Sequence, residues 1–136
     1  MKRTITVLLV ACVLLFSSIT VASASMFDAI APMADNYVNV YARLNITAGE
    51  AAVSANVNGK PGITTKVTIH LYLQQYKDGK WVDYDDWTKS ANSVNFALAE
   101  TISVPKGYTY RAKASCYAYA GSKSEHVIKY SSEVKY

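Results

Sequence analysis

The stretch Tyr110–Ala120, YRAKASCYAYA, decides how this chain folds. Every second residue is small (Ala112, Ala114, Cys116, Ala118), and the residues between include large polar or aromatic ones (Arg111, Lys113, Tyr117, Tyr119). Side chains of a β-strand point to alternate faces, so a period of two sorts one strand into a buried and a solvated side. Tyr108 and Tyr110 share the parity of the small residues. A flank of small residues lets an opposing sheet come close, with Trp81 or Trp87, Leu71 and Phe96 available to fill the space. Cys116 falls on that inward flank and is expected to be an inert, buried thiol.

The same period runs through much of the chain. Val38, Val40, Ala42, Leu44 and Ile46 alternate with Asn39, Tyr41, Arg43 and Asn45; after Thr47-Ala48-Gly49 the pattern resumes with Ala51, Val53, Ala55 and Val57. Asn58-Gly59-Lys60-Pro61-Gly62 supplies turn residues. Val67, Ile69, Leu71 and Leu73 then oppose Thr68, His70, Tyr72, Gln74 and Tyr76. Lys77-Asp78-Gly79-Lys80 is a hairpin signal, because Asp-Gly tolerates the positive φ angles of a tight turn. Trp81–Trp87 returns less regularly. Val94, Phe96, Leu98, Ile102 and Val104 share one parity, Pro105-Lys106-Gly107 turns, and Gly121–Ser124 leads to a last strand through Val127 and Ile128. About seven short strands at even spacing predict an all-β, antiparallel sandwich.

The amino terminus predicts a compartment. Lys2 and Arg3 precede an apolar run, Ile5–Phe16, and Ser17–Ser25 turns small and polar with Ala22-Ser23-Ala24 as an A-x-A site. This layout reads as a secretory signal peptide over residues 1–24, and the apolar run is short for a membrane span. Leu9-Val10-Ala11-Cys12 offers a competing lipobox, but few residues precede it and Val13–Phe16 is more apolar than a lipoprotein tether. Cleavage after Ala24 leaves 112 residues and lowers the formal net charge from +4 to +2. It also removes Cys12, so Cys116 is the one thiol of the expected mature chain and no internal disulfide is available. Residues 25–36 lack lasting periodicity and are expected to be a flexible lead-in to one domain over 37–136. The mild positive balance leans toward anionic polymers outside the cell and does not indicate nucleic acid.

Val104–Tyr119, VPKGYTYRAKASCYAY, resembles the sixth strand of immunoglobulin-like and fibronectin type III-like domains, which is entered through a turn with a tyrosine early in the strand. The resemblance implies a tyrosine-corner role for Tyr108 or Tyr110. It also implies that Val53, 63 residues before Cys116, stands where such domains can carry a second-strand cysteine. The leader, GITTKVTIHLYLQQY (62–76) and YRAKASCYAYAGSKSEHVIKYSS (110–132) resemble an uncharacterised family of small secreted proteins of Gram-positive bacteria. That resemblance spans most of residues 37–136 and brings no catalytic motif with it.

The residues that could carry chemistry are few. Neither His70 nor His126 lies in an H-E-x-x-H or H-x-x-x-H context, no G-x-S-x-G is present, and the expected mature thiol is inward. The chain therefore reads as non-catalytic, with no catalytic residues and no cofactor. Asp78, Asp83, Asp85 and Asp86 crowd the segment KDGKWVDYDDW. Clustered carboxylates suit Ca²⁺, but no D-x-[DN]-x-[DN]-G pattern occurs, and a charged hairpin that keeps an edge strand from pairing is the preferred reading. No metal site is expected. Asn45-Ile46-Thr47 is a glycosylation sequon, read here as a strand end entering a turn.

The remaining candidate is an outward face. In an immunoglobulin-like sandwich the third and sixth strands neighbour each other. That places His70, Tyr72, Gln74 and Tyr76 beside Arg111, Lys113, Tyr117 and Tyr119. Aromatic rings with hydroxyl tips, flanked by amides and cations, suit a sugar-binding or protein-binding surface. The chain holds 11 tyrosines against 3 phenylalanines, so aromatic area goes mostly where a hydroxyl can stay wet. Sheet stability is the competing account, since tyrosine favours strands and cross-strand pairs stabilise them. The expectation is a secreted binding module for an extracellular or cell-envelope glycan or a surface protein, without a membrane span in the mature chain. A bacteriocin-like or toxin-like effector is the rival class, and a self-assembling spore or matrix component a third.

Overall fold

Alternation becomes pairing in the computed structural model, which describes residues 35–136. The expected leader, its cleavage point and residues 25–34 lie outside the described residues. Eight strands follow one another: β1 (Tyr37–Thr47), β2 (Glu50–Gly59), β3 (Lys66–Lys77), β4 (Lys80–Ala91), β5 (Asn95–Ser103), β6 (Thr109–Ala120), β7 (Lys123–Tyr130) and the two-residue β8 (Val134–Lys135). They form two antiparallel sheets, β1-β2-β5 and β4-β3-β6-β7, with β8 continuing the β7 edge of β6. The third and sixth strands pair along their length, from Lys66–Tyr119 to Tyr76–Thr109. The chain is an all-β sandwich.

Its core is the inward parity of both sheets. Ala51, Val53, Ala55, Val57 and Leu98 from the smaller sheet meet Val67, Ile69, Leu71, Leu73, Ala112, Ala114 and Cys116 from the larger. Each is at most 3 % exposed. The alanines of β6 remove bulk at the centre of the larger sheet, and Trp87, Phe96 and Tyr108 pack around the rim. Each buried Leu or Val stabilises by about 1.5–3 kcal/mol relative to exposure.

Two hairpins take the geometry their turns require. Asp78-Gly79 joins β3 to β4 with φ of 52° and 78°, and Ala48-Gly49 joins β1 to β2 with φ of 49° and 84°. Positive φ at both central residues matches the right-handed twist of the flanking strands.

The irregular return of Trp81–Trp87 has a structural cause. Leu73 pairs with Asp85 but Gln74 pairs with Asp83, so Tyr84 is an extra residue in β4. A β-bulge of this kind inverts the parity beyond it. Trp87, opposite Leu71, packs on the core, whereas Trp81, opposite Tyr76, lies on the solvent side. Tyr84 itself bridges the two sheets: its ring meets Tyr110 edge-on at 6.1 Å and its hydroxyl donates to the Ser103 carbonyl at 3.3 Å.

Tyr110 fills the tyrosine-corner role. Its side chain is fully buried, and its hydroxyl donates to the Pro105 carbonyl at 2.7 Å while accepting from Gln75 Nε2 at 3.0 Å. Tyr108 lies beside it, ring centroids 6.4 Å apart. Asp35 and Asn36, the last residues of the expected flexible lead-in, are tied down. Both backbone N–H groups donate to the Glu125 carboxylate at 2.7 Å, and Asn36 Nδ2 donates to the Ala118 carbonyl at 3.1 Å.

Candidate functional site

The outer face of β4-β3-β6-β7 takes the odd residues of β6 and the even residues of β3 and β7, by the pairings Tyr72–Lys113–Tyr130 and Thr68–Tyr117–His126. All eight residues expected on the face belong to this parity. Tyr76 is exposed, and His70, Tyr72, Arg111, Lys113, Tyr117 and Tyr119 are partly exposed.

Gln74 departs from the expectation. It is only 7 % exposed and offers no open contact group. Its Nε2 donates to Asp83 Oδ1 at 2.8 Å, and its Oε1 accepts from Arg111 Nε at 2.9 Å. The Arg111 guanidinium lies 4.1 Å from the Trp81 ring centroid and 4.3 Å from that of Tyr130. Trp81 on β4, Gln74 on β3, Arg111 on β6 and Tyr130 on β7 thus form a strap across all four strands. The strap covers Gln74, and every polar atom of that amide has a partner. Cation–ring contacts of this kind each contribute about 0.5–1 kcal/mol at exposed sites.

A second ladder crosses the same sheet nearer its other end. Thr88 Oγ1 and His70 Nδ1 lie 2.9 Å apart, His70 meets Tyr117 edge-on at 5.8 Å, and Tyr117 stacks on His126 at 4.4 Å with 12° between planes. That separation is close to the strand spacing of about 4.8 Å, so the two rings face each other along the sheet and turn their edges to solvent. Tyr119 stacks against Tyr117 at 6.4 Å, and Lys66 Nζ lies 5.2 Å from the Tyr119 centroid. Between the ladders, Lys113 Nζ sits 4.9 Å from the Tyr72 centroid. The face is a braced lattice of rings and cations that presents ring edges, hydroxyls and N–H donors.

Ser115 Oγ and His126 Nε2 lie 2.7 Å apart, a spacing that could pair a nucleophile with a base. At this point β6 is paired to β3 on one side and to β7 on the other, so the contact links two strands that are already hydrogen-bonded. The pair acts as a cross-strand brace.

Sequence reasoning missed Trp81, His126, Ile128 and Tyr130. Ile128 and Tyr130 are 43 % and 49 % exposed. The alternation His126, Ile128, Tyr130 was a usable signal, but only the pairing of β7 with β6 fixes which parity faces water. Cys116 is 1 % exposed, and burial pushes its thiol pKa up to about 12. Among the described residues, no group of three or more His, Cys, Asp or Glu side chains is placed to hold a metal ion, including the hairpin acids. Among the described residues no helix is long and apolar enough to cross a membrane. No family model matches the chain, and no curated protein is significantly similar to it.

Proposed function

We propose that this chain is an exported, non-catalytic binding module whose contact surface is the outer face of β4-β3-β6-β7. Its target is an extracellular or cell-envelope glycan, or a surface protein. The observation that carries the reading is the lattice of rings and cations on that one face, anchored by Arg111 between Trp81 and Tyr130. A pre-braced surface loses little side-chain freedom on binding, which removes one of the main costs of association. Aromatic edges with hydroxyl tips and fixed cations supply apolar area and directed hydrogen bonds together.

The test is retention of the purified protein on peptidoglycan and on a glycan array, against the variant Tyr72→Ala/Tyr117→Ala. Retention lost in a variant that still melts cooperatively supports the face. Retention unchanged by the double substitution rejects it.

A further inference from the structure

We infer that the ligand of this face is an acidic polysaccharide whose carboxylates lie along β6; the inference rests on the outer face being the contact surface. Four cations, Arg111, Lys113, Lys66 and Lys135, stand on it without a carboxylate partner within 4.0 Å. Among the described residues the one ion pair within 4.0 Å joins Lys89 to Glu100 at 2.7 Å, on the other side of β4. Arg111, Lys113 and Lys66 are held instead by the rings of Trp81, Tyr130, Tyr72 and Tyr119. A ring fixes a cation without neutralising it, so each keeps its charge and outward N–H donors.

The charges are ordered along the sheet. Arg111 and Lys113 follow one another on β6, Lys135 pairs with Thr109 before them, and Lys66 pairs with Tyr119 at the far end. The ten residue steps of strand from Thr109 to Tyr119 extend roughly 33 Å at about 3.3 Å per residue, room for several sugar units. Between the cations lie the hydroxyl of Tyr117 and the imidazoles of His70 and His126, hydrogen-bonding groups suited to sugar hydroxyls. Asp83 and Asp86 sit on β4 at one margin of the face, and Glu133, beside β8, lines a depression with Tyr76, Trp81 and Thr109 at the end where β6 begins. The β4 pair repels a polyanion from that side, and Glu133 bounds the run at its Arg111 end, which directs a polyanion over the middle of β6 and β7. The rings and cations spread across four strands, so a flat, extended, charged polymer fits this face better than a single side-chain anchor.

The probes are polygalacturonate, its fully methyl-esterified form, dextran and poly-L-glutamate, each immobilised, with the chain from residue 25 onward in solution. Retention on polygalacturonate should exceed that on the esterified polymer about tenfold or more. It should also collapse between roughly 0.1 M and 1 M salt, as the screening length falls from about 10 Å to about 3 Å. Lys66→Gln/Lys113→Gln should lose about tenfold in retention and still melt cooperatively, several degrees below the parent, because two cation–ring contacts are lost. Equal retention on the esterified polymer or on dextran, still abolished by Tyr72→Ala/Tyr117→Ala, overturns the inference and leaves the contact face standing. Equal retention on poly-L-glutamate overturns the saccharide. Capture only of protease-sensitive material overturns it in favour of a protein partner. Retention on none of these, nor on peptidoglycan or the glycan array, overturns both readings.

Discussion

The buried hydroxyl of Tyr110 donates to the carbonyl of Pro105 at 2.7 Å and ties the start of β6 to the turn that feeds it. The same oxygen accepts from Gln75 on β3, so one phenol closes a corner between two strands and a crossover. Tyr110→Phe keeps the ring and removes the oxygen, leaving Gln75 Nε2 and the Pro105 carbonyl without that partner. The expected cost is about 1–3 kcal/mol, read as a lower urea midpoint with an unchanged slope.

Cys116 is predicted to resist alkylation in the folded protein and to react fully in denaturant, with one equivalent of thiol in the chain from residue 25 onward. Its folded pKa of about 12 lies above the ordinary 9.0, and burial likewise raises the Tyr110 phenol above its ordinary 10.0. Folding therefore favours the protonated forms. Their contribution is fully present below about pH 9 and is lost as pH rises toward 12, because the unfolded chain ionises first. Unfolding midpoints measured from pH 7 to 11 should fall above pH 9. Cys116→Ala should flatten the first part of that fall.

The strap across the larger sheet predicts coupling between Trp81 and Arg111. A double-mutant cycle with Trp81→Ala and Arg111→Ala should give an interaction of about 1 kcal/mol. Arg111→Ala alone should cost more than a typical surface change, because it also uncovers Gln74. An additive cycle would mean that the ring and the guanidinium are neighbours without mutual stabilisation.

Ala48 occupies a left-handed conformation, φ 49°, in which its Cβ crowds the following carbonyl. Ala48→Asn or Ala48→Gly should raise stability by about 0.5–1 kcal/mol, with thermal unfolding as the check. Gly49→Ala should lower it: the backbone there has φ +84°, and an added Cβ would also touch the Tyr136 hydroxyl.

Strands and their buried flanks were legible wherever the period of two ran unbroken, whereas the pairing of the third with the sixth strand followed from the resemblance to immunoglobulin-like domains. Val67–Leu73 and Ala112–Ala118 alternate without a defect, so their buried flanks, including Cys116, could be read from the chain directly. Tyr84 broke that logic. One inserted residue leaves the composition of β4 unchanged but reverses Trp81 relative to Trp87, and nothing local marks where the reversal occurs. Gln74 failed for another reason: its parity was read correctly, yet its exposure depends on Arg111, Trp81 and Tyr130 reaching over it from three other strands. Parity says which way a side chain points. It does not say what lies on top.

The tether at Glu125 fixes where the chain enters this body. Asp35 and Asn36 are held beside the β2–β3 and β6–β7 connections, whereas Tyr136 is held at the opposite pole, its N–H donating to Tyr108 and its carbonyl accepting from Gly107. Asp35 and Tyr136 therefore stand at opposite ends of the strands. A pull applied at these two residues would load the strands lengthwise, in shear.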